Sequence, residues 1–171
     1  MHKLRRSDRA LDLESSRAFL SRAWVGRLAT VGPDGPYVTP LCFVYAPPDT
    51  IYFHCAHRGH KLDNIDRDPR VCLEVDKVFE VTSAERACDH SIGYVSVIAF
   101  GIARRVTDCR EKSKALAMLM DKYAGDSYPA VSEEEKSETT VIAVDIEYLT
   151  GKSNLPQGER RELSRGCGDG H

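Results

Sequence analysis

No apolar run in the sequence approaches the ~18 residues that a membrane-spanning helix needs, so no membrane association is expected. Charge of one sign is scarce as well: 24 basic residues stand against 26 acidic ones, a formal −2. So near a balance argues against a bulk binder of nucleic acid, although a local basic patch stays open. Met1 to Arg6 is basic but is not followed by the apolar core of a signal peptide, so a cytoplasmic location is expected. There is no Walker motif, no nucleotide-binding glycine fingerprint and no Gly-x-Ser-x-Gly elbow. Nor is there a close pair of acidic residues of the kind a glycosidase uses. The six cysteines, at 42, 55, 72, 88, 109 and 167, form no Cys-x-x-Cys pair and their gaps are irregular. They read as reduced thiols filling small apolar sites rather than as a disulfide framework or a zinc site.

The length of 171 residues fits one domain with a tail. Such a chain buries roughly 70% of its unfolded surface, so it needs no metal or disulfide staple. Residues 1–11 are basic and polar and are expected to form a flexible arm, and the domain proper to cover 12–155. From Asp12, a plausible N-cap, the pattern is helical, with Leu13, Phe19, Leu20, Ala23 and Trp24 on one broad face and Gly26 as the stop. Residues 27–31, 37–45 and 50–55 read as strands, separated by the turns Gly32-Pro33-Asp34-Gly35 and Ala46-Pro47-Pro48-Asp49. Two hairpins in succession indicate an antiparallel sheet rather than βαβ units. A short helical turn over 61–65 and a strand over 71–75 follow, and 80–93 reads as a loop or edge excursion. Residues 94–106 form a long strand in which Gly101 suggests a bend or a close backbone approach.

Asp108 with Glu111 has capping-box spacing and opens a helix with Ala115, Leu116, Leu119, Met120 and Tyr123 on one stripe and Gly125 at its end. Ser132 with Glu135 opens a second, short helix, and 139–148 is the final strand. Residues 156–171 are polar and glycine-rich and are expected to be disordered. Six strands with inserted helices fit a small closed or split antiparallel barrel, which hides its edges by closing on itself.

The segment most suggestive of chemistry is Tyr52-Phe53-His54-Cys55-Ala56-His57-Arg58-Gly59-His60-Lys61. A strand there runs into a glycine-bearing loop and then a helix start. Backbone amides, the helix dipole and the cations of Arg58, His60 and Lys61 converge, which suits a phosphate or another anion. A solvated charged loop is the plainer alternative. Histidines three apart at 54, 57 and 60 do not match the i, i+4 spacing of helical zinc motifs, and no second ligand pair appears, so no metal is expected. Cys55 as a nucleophile paired with a histidine has no local signature.

Four collinear stretches carry a resemblance: residues 26–31 (GRLATV), 36–45 (PYVTPLCFVY), 51–65 (IYFHCAHRGHKLDNI) and 70–75 (RVCLEV). They resemble the pyridoxamine-phosphate-oxidase-like split-barrel flavoproteins. Residues 94–101 (YVSVIAFG) and 151–154 (GKSN) resemble the subgroup that includes nitroimidazole-resistance reductases. The resemblance runs over about residues 5–155. It implies a mainly β fold with peripheral helices, a six-stranded antiparallel split barrel of FMN-binding type, assembled as a homodimer with FMN at the subunit junction.

Thr39, Pro40, Leu41 and Cys42 would line the isoalloxazine and ribityl chain, partly through backbone groups. His54 and Cys55 would meet the flavin from the third strand, and His60 and Lys61 would be the phosphate-binding pair. Ser96 would approach from the partner subunit. His54 matches a histidine beside the cofactor in the nitroimidazole-reductase members and is the catalytic candidate. The implied activity is reduction of a small acceptor through bound flavin. The alternatives are a flavin-binding protein without turnover, or a haem or deazaflavin binder on the same barrel. Two departures stand out: a histidine at 60 where the oxidases carry arginine, and no recognisable arginine-rich C-terminal segment after Lys152, which disfavours pyridoxamine-phosphate oxidation.

Overall fold

The computed structural model describes residues 4–125 and 131–163. In chain order its elements are β1 Ala10–Leu11, α1 Leu13–Arg22, β2 Val25–Gly32, β3 Gly35–Cys42, β4 Val44–Ala46, β5 Thr50–Cys55, α2 His60–Arg67 and β6 Arg70–Thr82. There follow β7 Ser91–Arg105, α3 Cys109–Ala124, α4 Glu133–Glu138, β8 Thr140–Ser153 and α5 Gln157–Glu162. The strands pair in the order β3-β2-β6-β7-β8-β5-β4, with β1 added to β8. The class is mainly β and antiparallel, as the sequence implies, with eight strands rather than six. The extra count has two sources: the short β1, and a break in the expected 37–45 strand at Phe43, which divides it into β3 and β4. Two compact units are built from this chain.

The first unit consists of the residues before Trp24, the segment Glu74–Ile98 and the residues after Tyr148. Asp12 caps α1 as its position suggests, its carboxylate accepting the Ser15 amide at 2.7 Å. Phe19 and Leu20 are buried, whereas Leu13 stays exposed. Residues expected to be a flexible arm are in part paired: Ala10 and Leu11 register with Lys152 and Gly151 of β8. A Cβ on Gly151 would lie 2.2 Å from Ser16 Oγ, so only glycine admits α1 this close. Asn154 latches the start of β7, accepting the Tyr94 amide (2.8 Å) and donating to the Ile92 carbonyl (2.5 Å). The GKSN stretch is therefore built for packing. β6 and β7 extend into the expected 80–93 loop, to Thr82 and from Ser91. Within the tail expected to be disordered, α5 is helical, and residues from 164 on lie outside the described residues.

The second unit consists of Trp24–Leu73 and Ala99–Tyr148. β2 and β3 form a hairpin in register from Val25↔Cys42 to Gly32↔Gly35, turning at Pro33-Asp34. Gly35 takes a φ of +104°, open to glycine and costly for other residues. β5 pairs with β4 on one side and with β8 on the other, from Thr50↔Asp145 to Cys55↔Thr140. α3 packs Ala115, Leu116 and Leu119 on Val44, Tyr52, Val141 and Ala143.

Asp108 caps α3 through the Glu111 amide (2.7 Å), but the reciprocal half of the box is missing. Glu111 instead accepts from Tyr52 Oη (2.9 Å) and from Arg104 (2.7 Å), tying the helix start to the sheet. Ser132 and Glu135 do form the complete box. Gly101 is a close approach, as anticipated: a Cβ there would lie 2.3 Å from the Asp145 carbonyl oxygen.

Trp24 does not belong to α1. The helix ends at Arg22, and the indole is exposed, edge-on to Tyr123 at 5.5 Å. Among the described residues the cysteines do not fill core sites either. Cys42, Cys88 and Cys109 are exposed, Cys55 and Cys72 half-buried, and Cys167 lies outside the described residues.

Candidate functional site

β3 ends the strand order, and Pro36 and Pro40, which lack amide donors, suit that edge position. Side chains alternate along it. Thr39 and Leu41 are half-buried on the side of their register partners Leu28 and Gly26. Pro40 and Cys42 are exposed on the side of Arg27 and Val25. The four residues proposed to line one cofactor are thus divided between the two faces of β3. The Thr39 hydroxyl oxygen is buried and has no hydrogen-bond partner among the described residues. A buried polar atom left so costs about 1–3 kcal/mol and calls for a partner, from water or from a ligand.

The far end of β3 is held by α3. Tyr123 Oη accepts the Phe43 amide (2.9 Å) and donates to the Trp24 carbonyl (2.5 Å). Lys122 Nζ donates to the Phe43 carbonyl (2.8 Å) and lies 4.2 Å from the Phe43 ring centre. With its backbone donor and acceptor taken this way, Phe43 breaks the strand. Burial pulls the Lys122 ammonium down to about 8, against a small opposing effect of Cys42. Burial likewise pushes the Tyr123 phenol up to about 12. Sequence reasoning missed both roles because the partners lie some eighty positions apart, with no local signal.

β5 lies against β3 without pairing to it. His54 is exposed near its end and Cys55 half-buried, opposite Val141 and Thr140. Burial raises the Cys55 thiol, with Lys61 and Arg105 pulling the other way. The net rise keeps it a thiol, which weakens the reading of Cys55 as a nucleophile. His57 is committed elsewhere, its Nδ1 hydrogen-bonded to Thr140 Oγ1 at 2.8 Å.

The chain then reaches Gly59, whose φ of +147° is left-handed and whose missing Cβ faces open space. α2 begins there with no side-chain cap; the Gly59 carbonyl accepts the Leu62 (2.8 Å) and Asp63 (3.1 Å) amides. His60 is exposed and Lys61 half-buried. Among the described residues neither Arg58 nor Lys61 has a carboxylate partner, whereas Arg105 is held by Asp66 (2.7 Å) and Arg104 by Glu111 and Asp145. The start of α2 is therefore open and uncapped, with Arg58, His60 and Lys61 beside one acidic residue of the first turn, Asp63, an arrangement that suits an anion. Two residues beyond the sequence reading hold α2 in place. Asn64 is buried and donates to Thr30 Oγ1 (3.0 Å), and the Tyr37 ring stacks on His60 at 4.2 Å between centres. Ser96 lies in the other unit, half-buried on β7.

The orphaned Thr39 hydroxyl and the open cationic helix start fit a group with hydrogen-bonding ring substituents and an anionic end, as a flavin nucleotide has. A mainly β antiparallel fold with such a site defines a class of small cofactor-binding β proteins. Within it, the family described as pyridoxamine 5'-phosphate oxidase matches residues 12–153, and the chain belongs to that family, which has the split-barrel fold and binds flavin.

Among solved structures, a candidate 5-nitroimidazole antibiotic resistance protein from Bacteroides thetaiotaomicron is 25% identical with a TM-score of 0.72, covering 84% of this chain and 85% of that one. The flavocytochrome Anf3 from Azotobacter vinelandii superposes with a TM-score of 0.80 at 22% identity, over 94% of this chain and 78% of that one. An FAD and haem binding protein from Mycobacterium smegmatis reaches 0.75 at 19% identity, over 88% and 77%. The latter two likenesses concern the fold alone. No curated protein matches the sequence. Among the described residues no helix is long and apolar enough to cross a membrane.

Proposed function

We propose that the chain is an FMN-dependent oxidoreductase that reduces a small acceptor of the nitro-aromatic type, working as a cytoplasmic homodimer. The observation that carries this reading is the uncapped, cationic start of α2, with Lys61 free of any carboxylate partner among the described residues. Membership of a flavin-binding family supports the cofactor class, and likeness to a candidate nitroimidazole resistance protein supports the acceptor class.

Lys61 and His60, with the first amides of α2, hold the phosphate, each charge-assisted bond contributing about 1.5–3 kcal/mol. Thr39 meets a polar edge of the ring system with its otherwise unpartnered hydroxyl. Pro40, Leu41, Cys42 and Cys55 shape the surroundings, and Ser96 reaches in from the partner subunit. Bound flavin supplies the electron transfer. His54, exposed on β5, supplies or orients the proton that the reduced acceptor takes up.

Titration of the purified protein with FMN and with FAD, followed by flavin fluorescence, tests the cofactor. FMN is expected to bind, and Lys61→Glu to weaken it at least ~10-fold, the equivalent of one charge-assisted bond. An unchanged spectrum on adding FMN, or a Lys61→Glu variant that binds as tightly as the parent, overturns the reading. Consumption of a nitro acceptor by the loaded protein with a reduced nicotinamide donor separates an oxidoreductase from a flavin carrier.

A further inference from the structure

We propose that Tyr37 is a positioning residue that orients the His60 imidazole for the phosphate end of the ligand, an inference resting on the flavin reading above. His60 is the first residue of α2, exposed, on a helix whose start no side chain caps. An exposed imidazole in that place samples several rotamers, and holding an anion would cost it that freedom. The Tyr37 ring removes the freedom in advance. It lies 4.2 Å from the imidazole centre with the planes inclined by 28°, a stacked pair.

Tyr37 is itself fixed. It registers with Thr30 in the β2–β3 hairpin, and its carbonyl accepts from Thr30 Oγ1 at 3.5 Å. The same Thr30 oxygen accepts from buried Asn64 Nδ2 at 3.0 Å, four residues along α2 from His60. Hairpin and helix are thereby joined at two points, Asn64 to Thr30 and His60 to Tyr37. The second point lies at the helix start, beside the open space in front of Gly59. On this account Tyr37 needs no contact with the ligand. It acts through His60, and it fixes the phosphate site relative to the strand that carries Thr39 to Cys42.

The test compares the affinities of FMN and of riboflavin, which lacks the phosphate, for the wild-type protein, Tyr37→Phe and Tyr37→Val. Valine keeps a strand-forming side chain on an edge strand while removing the ring. Wild type and Tyr37→Phe are expected to share one FMN-over-riboflavin preference. Tyr37→Val is expected to reduce that preference between about twofold and tenfold, the range an aromatic pair contributes, with riboflavin affinity nearly unchanged. A preference unchanged in Tyr37→Val, or an equal loss for both ligands, makes Tyr37 a merely structural residue and overturns the proposal. If Tyr37→Val does not fold, Tyr37→Ile serves with the same expectation. Failure of the wild type to bind either ligand is a different result, which defeats the flavin reading and this inference with it.

Discussion

Replacing Lys122 with methionine probes the clamp that ends β3. In the folded chain the ammonium sits near 8, below its ordinary 10.5, because burial disfavours the charge. Below about pH 8 folded and unfolded chains both hold the proton, and the cost of burying it is present in full. Between about 8 and 10.5 the unfolded chain binds more protons than the folded one, so stability rises with pH across that window. Full burial would make the gap worth about 3 kcal/mol, and solvent screening of this half-buried group reduces it to about 1–2 kcal/mol. The bond to the Phe43 carbonyl and the ring contact oppose this by about 1 kcal/mol and are lost in the variant at every pH.

Lys122→Met is therefore expected within about 1 kcal/mol of the wild type near pH 7, and to fall behind it by a further 1–2 kcal/mol near pH 10. Tyr123, raised from 10.0 to about 12, contributes in the opposite sense, its stabilisation being lost as pH climbs through that range. Lys122 Nζ lies 5.4 Å from the Tyr123 ring centre and shares the Phe43 carbonyl with its hydroxyl, so the two groups are coupled and the comparison is confined to pH values up to about 10, below the range in which Tyr123 loses its proton. Urea unfolding followed by circular dichroism at several pH values measures the difference between the two proteins. A difference that stays constant from neutral to alkaline pH would refute the argument.

Two further substitutions address the sheet and the chemistry. Gly101→Ala places a Cβ 2.3 Å from the Asp145 carbonyl oxygen and 3.1 Å from the Ile146 Cα, so backbone must move. A loss of about 1–3 kcal/mol is expected, seen as a melting temperature lower by several degrees, and a melting curve superimposable on the parent's would contradict it. His54→Ala should retain FMN yet slow turnover of a nitro acceptor by about 10²–10⁴-fold, as loss of a proton donor does. Undiminished turnover would leave His54 a wall of the site and nothing more.

Elements that depend on local chemistry were legible in the sequence. Asp12 and Ser132 cap helices where their spacing puts them, Gly125 ends α3 with a φ of +63°, and the Gly32–Gly35 turn closes the hairpin. Elements decided by distant partners were not. β6 runs on through Asp76 to Thr82 with every side chain exposed, so no alternation marks that half as a strand. The unbroken β-forming run from Tyr37 to Tyr45 gave no hint of the break at Phe43, which depends on Lys122 and Tyr123. Trp24 fits the helical period of α1, but its ring is placed by Tyr123, in a segment the period does not reach.

The candidate site divides along the same line. Gly59, His60 and Lys61 are contiguous, so loop, helix start and cations can be read together from the sequence, and the structure keeps them together. Thr39 to Cys42 are contiguous as well, yet contiguity means the opposite in a strand, where neighbours point to opposite faces. A planar ring resting on one face of β3 can meet the side chains of Thr39 and Leu41 or those of Pro40 and Cys42, but not all four. The buried hydroxyl without a partner belongs to the first pair, and the exposed thiol to the second. On the flavin reading proposed above, polar satisfaction favours the Thr39 face for the ring and would turn the side chains of Pro40 and Cys42 away from it.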